Sequence, residues 1–401
     1  MTGPVGALDG IRIADFSWVG AGPRATKDLA DSGATVVKIE SRRRLDLGRR
    51  SPPFAGDPKD PDGSAFFAQT NTSKLGVTID LGDPEGVAVA RKLIAWADVV
   101  VENFGPGYME RIGLGYADLQ AIRPDIILAS VSVAGRSGPM AGFRGYGNSA
   151  AAHSGHAAMS GWPGSEPHMP PFAYGDVVAP MVATLAVLAA LEHRDRTGQG
   201  QHVDVSQIEP MVHVIADLFA AEGLTDKPGN GDPVMAPHGV FPCAGDDRWI
   251  AIAVADDVQW QALCRVLGDD RLAGDPRFAT ADGRRREGSA LADAVGGLTR
   301  GWDRHRLMAA LAEAGVPAGA VQDGRDVFED GELRTAGHFV AVDHAVLGTS
   351  MMPAPPMRLH DTPFAVRPPP RLGEHNHQVL IDMLGLPEAA VADLEARGVL
   401  A

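Results

Sequence analysis

The chain has 401 residues, of which 45% are hydrophobic and 22% are charged. These proportions are ordinary for a globular protein and argue against disorder, and the length predicts two or more lobes. The formal net charge of −15 argues against general affinity for nucleic acid or for an anionic membrane, so a phosphate ligand needs a locally basic site.

The N-terminal region has the pattern of a parallel α/β sheet. An apolar strand at 10–16 is followed by the turn Gly20-Ala-Gly-Pro23, a helical pattern through Ala30 and a second strand at 35–40. Strand, glycine turn, helix and strand form the usual opening of such a sheet. The turn lacks the third glycine of the dinucleotide fingerprint, because Ala25 stands at that position, so we do not expect a nicotinamide site.

Further strands are predicted at 76–81, 98–101 and 125–133, and Asp83-Pro-Glu85 marks the start of a helix that runs to Ala97. The stretch Glu102–Gly115 is a loop that leaves the carboxyl end of a strand, which is where open α/β sheets bind their ligands. Taken alone, it is also explained by a plain connection from strand to helix. After residue 200, the pattern predicts a strand at 201–206 and a helix at 209–221.

A single aspartate, Asp176, follows a Tyr-Gly turn where a long helix rich in Ala, Leu and Val is predicted to start. Helix-end N–H groups and the helix macrodipole favour an ionised carboxylate at this place, so Asp176 is the candidate for the chemistry. Aspartate is also a common helix N-cap, which leaves a purely structural role open.

His153 and His156 are spaced so that both could lie on one helical face and bind a metal ion. No carboxylate or cysteine joins them at ligand spacing, so we predict no metal site. Packing, or the lining of a ligand pocket, is the preferred interpretation of this pair.

The composition changes after residue 224 to a polar crossing rich in Gly and Pro. A hairpin at 238–254 and helical patterns at 258–267, 290–298 and 305–314 then predict a second lobe of α+β type. We therefore divide the chain into a large domain at 1–224, a small domain at 225–330, and a segment at 331–401 that returns in extended form and ends in helices completing the large domain. The turn Gly229-Asn-Gly231 is interpreted either as part of an active-site lid or as a linker between lobes.

The two cysteines, Cys243 and Cys264, show no zinc-type spacing and fit a reducing cytosol. The N-terminus has no basic and apolar leader, and the apolar run at 177–191 is judged too short and too rich in Ala to span a bilayer. These features predict a cytoplasmic protein without a membrane partner.

A set of short stretches covers almost the whole chain, at 8–16, 21–23, 33–34, 37–40, 97–107, 111–115, 190–205, 247–249, 314–318 and 372–375. Each stretch is weak alone, but the set in this order resembles the class III CoA-transferase family, which includes formyl-CoA transferase, carnitine CoA-transferase and alpha-methylacyl-CoA racemase. The resemblance implies an α/β fold with a Rossmann-like large domain, whose parallel sheet is built from both chain ends, and a smaller α+β domain. It also implies a homodimer of two interlocked rings.

The resemblance implies that Asp176 is the catalytic nucleophile. The positions that match the family's CoA contacts are Val19, Ala21, Ile79, Asn103, Phe104, Arg111 and Arg144. A basic residue expected directly after Lys38-Ile-Glu40 is Ser41 here, so that role is assigned to Arg42. The arginines would supply local positive charge for the CoA phosphates on an acidic protein, although solvated surface arginines remain the alternative.

Two departures from the family pattern bear on the reaction. In the racemase branch a histidine acts with the shared aspartate, but the matching position is Tyr146, whose ordinary pKa of about 10 does not suit acid–base catalysis near neutrality. In the formyl-CoA branch a glutamine and a glutamate assist the acyl intermediates, and Gly20 and Gly147 occupy those positions. We expect the missing side chains to leave room for a larger acyl group, and the stretch 157–163 resembles members that use succinyl-CoA.

We predict an enzyme that moves CoA from a donor thioester, with succinyl-CoA as the candidate donor, to a carboxylic acid. The predicted intermediates are an aspartyl anhydride and an aspartyl-CoA thioester. CoA enters as part of the substrate, and no metal is required. One alternative is a racemase or epimerase that acts at the α-carbon of a CoA thioester. The other is a non-catalytic CoA-binding protein.

Overall fold

The computed structural model describes residues 6–217, 227 and 229–401. The chain divides into two compact units, of which the first comprises Met1–Ala157, Met169–Ala221 and Glu332–Ala401 and the second comprises Ala158–His168 and Glu222–Gly331. The boundaries predicted from the sequence, at 224/225 and 330/331, do not separate the short stretch at 158–168 from the large domain.

Within the described residues, the first unit is built on a parallel sheet of six strands. In chain order these strands are β1 (Arg12–Asp15), β2 (Thr35–Glu40), β3 (Leu75–Thr78), β4 (Val99–Glu102), β5 (Ile127–Ser132) and β6 (His202–Ser206). Their order in space is β3-β2-β1-β4-β5-β6, so the sheet grows in opposite directions from β1 and from β4. Such a switch point opens a crevice at the carboxyl ends of the strands.

The chain forms helices along residues 6–217, and several of them pack on the two faces of this sheet. The helices are α1 (Ala21–Asp31), α2 (Ala65–Thr70), α3 (Pro84–Trp96), α4 (Tyr108–Arg111), α5 (Tyr116–Ile122), α6 (Gly147–His153), α7 (His156–Met159), α8 (Gly175–Thr197) and α9 (Ile208–Val214). A short 3-10 turn lies at Leu47–Arg50. The predicted helix at 209–221 corresponds to α9, and its last four positions lie outside the described residues.

Burial on both faces explains the apolar runs of the inner strands, such as Val99–Val101 in β4. Successive side chains of a strand point to opposite faces. In β4, Val100 therefore packs in one core with Leu93 of α3, while Val99 and Val101 pack in another core with Leu29 of α1. The alternation fixes which residues meet each layer of helices.

The second unit contains a three-stranded antiparallel sheet among its described residues. Its strands, β7 (His238–Pro242), β8 (Trp249–Ala253) and β9 (Ala318–Ala320), lie in the order β7-β8-β9. Its helices are Asp257–Leu267, Asp270–Gly274, Ala281–Arg286, Gly288–Thr299, Arg304–Glu313 and Gly324–Glu329. The core centres on the fully buried Trp260, and Gly229 of the turn considered as lid or linker packs against Trp162 inside this unit.

The C-terminal segment corrects one part of the predicted fold. All strands of the parallel sheet lie between residues 12 and 206, so within the described chain the sheet is not built from both ends. The segment instead forms a helix at Gly331–Thr335, an antiparallel hairpin of β10 (Phe339–His344) and β11 (Gly348–Pro353), a π-helical turn at Gln378–Met383 and a helix at Glu388–Ala396. The segment packs on the first unit, because Val379, Leu380 and Val391 join the core of the sheet and His375 accepts a hydrogen bond from the N–H of Gly76 in β3.

Helix α8 is longer than the apolar run that marked it in the sequence. It spans 23 residues and contains an 18-residue window of mean hydropathy 1.6, so by length and composition alone it could cross a membrane. The prediction that this run is too short for a bilayer is therefore wrong. Its inner side packs against α1, β5 and β6, and Ala179, Ala183 and Val187 are buried there. Only 39% of the apolar window is buried, so packing within this chain explains part of the apolar composition and not all of it.

Candidate active site

A cleft of about 770 Å³ lies at the carboxyl ends of the parallel strands. The segments that follow β1, β2, β3, β4 and β5 all contribute to its walls. This is the crevice that the change of direction between β1 and β4 creates, and it is the place where open α/β sheets bind ligands. The loop at 102–115, for which a ligand-binding role was predicted, contributes residues 103–106, 108 and 111.

The cleft brings together most of the residues predicted to act. The predicted residues that line it are Val19, Ala21, Ile79, Asn103, Phe104, Arg111, Arg144 and Asp176. Arg42 is not among the lining residues.

The side chains of Arg42 and Arg44 contact different parts of the chain. The Arg42 Nη2 group donates a hydrogen bond of 3.1 Å to the carbonyl oxygen of Leu372, a residue far along the chain. The guanidinium of Arg44 instead lies 5.5 Å from the centre of the Trp18 ring, and Arg44 lines the cleft. Arg44, and not Arg42, therefore lines the cleft.

A row of aromatic rings runs along one wall of the cleft. The centres of the Trp18 and Phe104 rings are 5.6 Å apart, and those of Phe104 and Tyr108 are 4.6 Å apart. The Arg111 guanidinium lies 5.6 Å from the centre of the Tyr108 ring, as Arg44 does beside Trp18. Flat apolar surfaces next to cations suit a ligand that carries both a ring system and phosphates.

The acidic side chains in the cleft wall are mostly neutralised by partners of their own. Glu40 is bound by the buried Arg49, with an Nε to Oε2 distance of 2.7 Å, and Asp80 is bound by Arg43 at 2.8 Å. With these acids paired, the arginines that line the cleft make it locally positive on a protein of net negative charge. Asp176 is an acidic lining residue that has no such neutralising salt bridge within the described part of the chain.

Asp176 lies in the first turn of α8, one residue after the glycine with which the helix begins. Its Oδ1 accepts a 2.7 Å hydrogen bond from the Gln207 side-chain amide, and the backbone N–H of Gly147 also donates to the carboxylate. Burial raises the pKa of Asp176 above its usual value, and these two donors together with the charge of Arg24 only partly offset the rise. The site thus holds a carboxylate that is more basic than one in water.

Two glycines form the immediate surroundings of Asp176. A Cβ atom built on Gly20 would lie 3.3 Å from both Cβ and Cγ of Asp176, so this backbone faces the carboxyl side chain closely. A Cβ built on Gly147 would lie only 2.7 Å from the backbone nitrogen of Asp176. The expectation that Gly147 leaves room for a larger acyl group is therefore wrong, because the start of α8 occupies that space.

Three further residues considered in the sequence, Tyr146, His153 and His156, differ in their position relative to the cleft. Tyr146 lines the cleft and is 59% exposed. His153 ends α6 and contacts the Phe143 ring, whereas His156 begins α7 and contacts the Tyr174 ring, so the two histidines do not share one helical face. Among the described residues, no group of three metal-ligating side chains comes together.

Sequence reasoning missed the partners of Asp176. Gln207 directly follows β6 and is buried at the carboxyl edge of the sheet, a position that could have marked it as a candidate. The Gly147 N–H group and Arg24 carry no comparable signal, because only the folded chain brings them to residue 176.

The fold and the cleft define an open α/β enzyme that presents a basic carboxylate beside a surface suited to an anionic ligand with a ring system. The chain belongs to CoA-transferase family III, whose family model matches residues 8–376. It is a CoA-transferase, as the resemblance in the sequence implied.

Curated proteins with similar sequences extend over nearly the whole chain. Succinyl-CoA--D-citramalate CoA-transferase of Chloroflexus aurantiacus is 33% identical, with 99% of each chain covered. Succinate--glutarate CoA-transferase of Agrobacterium fabrum is also 33% identical, over 94% of this chain and 95% of the relative. A crystal structure of a CAIB/BAIF family protein from Brucella suis has a TM-score of 0.87 and 32% identity, covering 95% of this chain and all of that one.

Proposed function

We propose that this CoA-transferase moves CoA from succinyl-CoA to a carboxylic acid, with Asp176 as the covalent nucleophile. The observation that carries the proposal is that the Asp176 carboxylate lines the same cleft as the arginines and aromatic rings described above. The donor is proposed from the relatives, whose names specify succinyl-CoA or succinate. Their other named substrates are also dicarboxylic acids, so a dicarboxylate is the acceptor to test first.

The reaction can proceed without a net change in protonation. An Asp176 oxygen attacks the thioester carbonyl carbon, the C–S bond breaks, and CoA leaves as a thiolate from a mixed anhydride. The thiolate then attacks the Asp176 carbonyl carbon, which releases the first carboxylate and leaves an aspartyl-CoA thioester. The acceptor carboxylate repeats the two displacements in reverse, which restores Asp176 and forms the new thioester.

The surroundings of Asp176 support a nucleophilic role. Burial raises its pKa and so makes the ionised oxygen more reactive, while the Gln207 amide and the Gly147 N–H keep the group oriented. The same donors can stabilise negative charge when the Asp176 carbonyl is attacked, and each such donor is typically worth about 3 kcal/mol.

We assign the anionic end of CoA to the exposed arginines of the cleft, Arg44, Arg111 and Arg144. Arginine forms bidentate hydrogen bonds to phosphate oxygens, which suits this role. The rings of Trp18, Phe104 and Tyr108 offer stacking surface for the adenine base.

A homodimer of interlocked chains is proposed as the active assembly. Support comes from the outer side of α8, where Met181 and Leu185 are exposed by 59% and 67% and form an apolar stripe with Leu188. Large exposed apolar stripes are typical of surfaces that a partner covers. If a second copy covers the stripe, Leu185→Glu lowers the mass measured by light scattering from that of two chains, and an unchanged mass would contradict the assignment.

The test of the nucleophile compares wild type with Asp176→Ala and Asp176→Asn. Wild-type enzyme incubated with succinyl-CoA should form an adduct at Asp176 that hydroxylamine converts to a hydroxamate, detectable by peptide mass spectrometry. Both variants should lack the adduct and lose at least about 10³-fold in kcat, while calorimetry still detects CoA binding. Transfer by Asp176→Ala at a rate near that of wild type would refute the nucleophilic role.

A further inference from the structure

A buried ion pair lies beneath the loop that connects β1 to α1. The Lys38 Nζ atom is 3.0 Å from Oδ2 of Asp46, and neither side chain is exposed at all. Removing two charges from water is costly, and an ion pair in the interior is weak evidence for a role in stability alone. The contacts of this pair therefore need another explanation.

Both members of the pair hold the backbone of the loop. The Lys38 ammonium donates a 2.5 Å hydrogen bond to the carbonyl oxygen of Ser17. Oδ1 of Asp46 accepts a 2.8 Å hydrogen bond from the N–H of Val19. The pair thus fixes the loop at two points, and its own geometry fixes the distance between those points.

Val19 has a backbone conformation that it would not adopt by preference. Its φ of 63° lies in the left-handed region, where a β-branched side chain is strained. Residues keep such a conformation only when surrounding contacts hold them in it. The Asp46 carboxylate provides one of those contacts, and Asn103 provides others, with hydrogen bonds of 2.7 Å to both the N–H and the carbonyl oxygen of Trp18.

The strained residue directly precedes the glycine that faces the nucleophile. Gly20 lies so close to Asp176 that an added Cβ atom would be 3.3 Å from the carboxyl carbon. Trp18, Val19 and Gly20 also line the CoA cleft. A relaxation of Val19 to an ordinary conformation would therefore move the cleft wall at the point where the thioester carbonyl meets Asp176.

We propose that Asp46 and Lys38 are positioning residues, which hold Val19 in its left-handed conformation and so place Gly20 against Asp176. Neither side chain lines the cleft, so they act on the reaction through the loop. The inference rests on the proposed role of Asp176 as nucleophile.

The test uses Asp46→Asn and Lys38→Met, which change charge with little change in side-chain volume. Because a misplacement of about 1 Å near the reacting atoms can cost about 10²-fold, both variants should lose about 10²-fold in kcat, with KM for succinyl-CoA within about threefold. The matched control is Lys27→Met, which breaks the buried Lys27–Asp31 pair, with a distance of 2.6 Å, in the same unit. Lys27→Met should lower the melting temperature but leave kcat within about threefold of wild type.

A second substitution separates positioning from general damage. Glycine adopts a φ near 63° without strain, so Val19→Gly added to Asp46→Asn should restore kcat at least about tenfold without restoring the melting temperature. If Asp46→Asn does not fold, the same pairing is made with Lys38→Met. The proposal would be overturned if both single variants kept the kcat of wild type, or if Lys27→Met lost as much kcat as they do. It would also be overturned if Val19→Gly did not restore kcat. Activity retained by Asp176→Ala would instead overturn the proposed nucleophile, so the two failures are distinguishable.

Discussion

Gly147 provides a direct test of how tightly the start of α8 is held. In Gly147→Ala the new Cβ would lie 2.7 Å from the backbone nitrogen of Asp176 and 3.0 Å from both Cβ and the carbonyl oxygen of Ala173. Cβ atoms essentially never approach other heavy atoms closer than 3.0 Å, so the helix start has to retreat by several tenths of an ångström. Two of the crowded atoms belong to the backbone, which cannot move aside by rotating a side chain.

The size of the effect of Gly147→Ala on stability and on kcat can be estimated from these distances. Overpacking of a well-filled interior typically costs about 1–3 kcal/mol in stability. Because displacement of a reacting group by about 1 Å can cost about 10²-fold in rate, we expect Gly147→Ala to lower kcat by about ten- to a hundredfold. KM for succinyl-CoA should change little, since the arginines of the cleft are untouched. The substitution keeps the N–H group that donates to the Asp176 carboxylate.

The assay is steady-state transfer from succinyl-CoA to a dicarboxylate, read by mass spectrometry of the CoA products, together with thermal unfolding. Gly297→Ala is the matched control, because Gly297 lies inside a helix and an added Cβ meets nothing within 4 Å. That variant should be as active as wild type and more stable by about 0.5–1 kcal/mol. If Gly147→Ala kept wild-type kcat and melting temperature, the tight packing of Gly147 against Asp176 would be refuted.

Three further predictions concern the same cleft. Gln207→Leu removes a hydrogen-bond donor to the ionised Asp176 and so raises the pKa of Asp176. The acid limb of the profile of kcat/KM against pH should therefore move to higher pH. If the acid limb does not move, the Gln207 hydrogen bond does not act on the reacting carboxylate. Arg44→Ala should weaken CoA binding about tenfold, measured by calorimetry, whereas the affinity of Arg42→Ala for CoA should stay within about threefold of wild type. A larger loss of affinity in Arg42→Ala than in Arg44→Ala would support the CoA contact that the sequence assigned to Arg42. The pKa of Asp176 is higher in the folded chain than its value of about 4 in the unfolded chain, so the stabilisation it gives is present below about pH 4 and is lost at higher pH. Asp176→Asn should therefore raise the melting temperature at pH 8 and not at pH 3.5. An equal gain at both pH values would contradict the raised pKa.

The strands were the most predictable part of the fold. The second strand was predicted at 35–40, and it lies at Thr35–Glu40. Its apolar run is explained by burial on both faces of the sheet. The hairpin of β10 and β11 was missed, since its residues were interpreted as part of an extended return segment and local pattern does not reveal which strand pairs with which.

The sequence by itself determined the order of the α/β elements, the aspartate at the head of α8 and membership of the family. These depend on local periodicity, on turn residues and on motifs that can be compared position by position. Tertiary structure decided the rest. The side chain of Arg42 binds the carbonyl oxygen of Leu372, whereas Arg44 lines the cleft. Burial raises the pKa of Asp176, and hydrogen bonds from Gln207 and Gly147, each about thirty residues away, only partly offset the rise. Burial and hydrogen bonding join residues that are remote in the chain, so no local pattern encodes them.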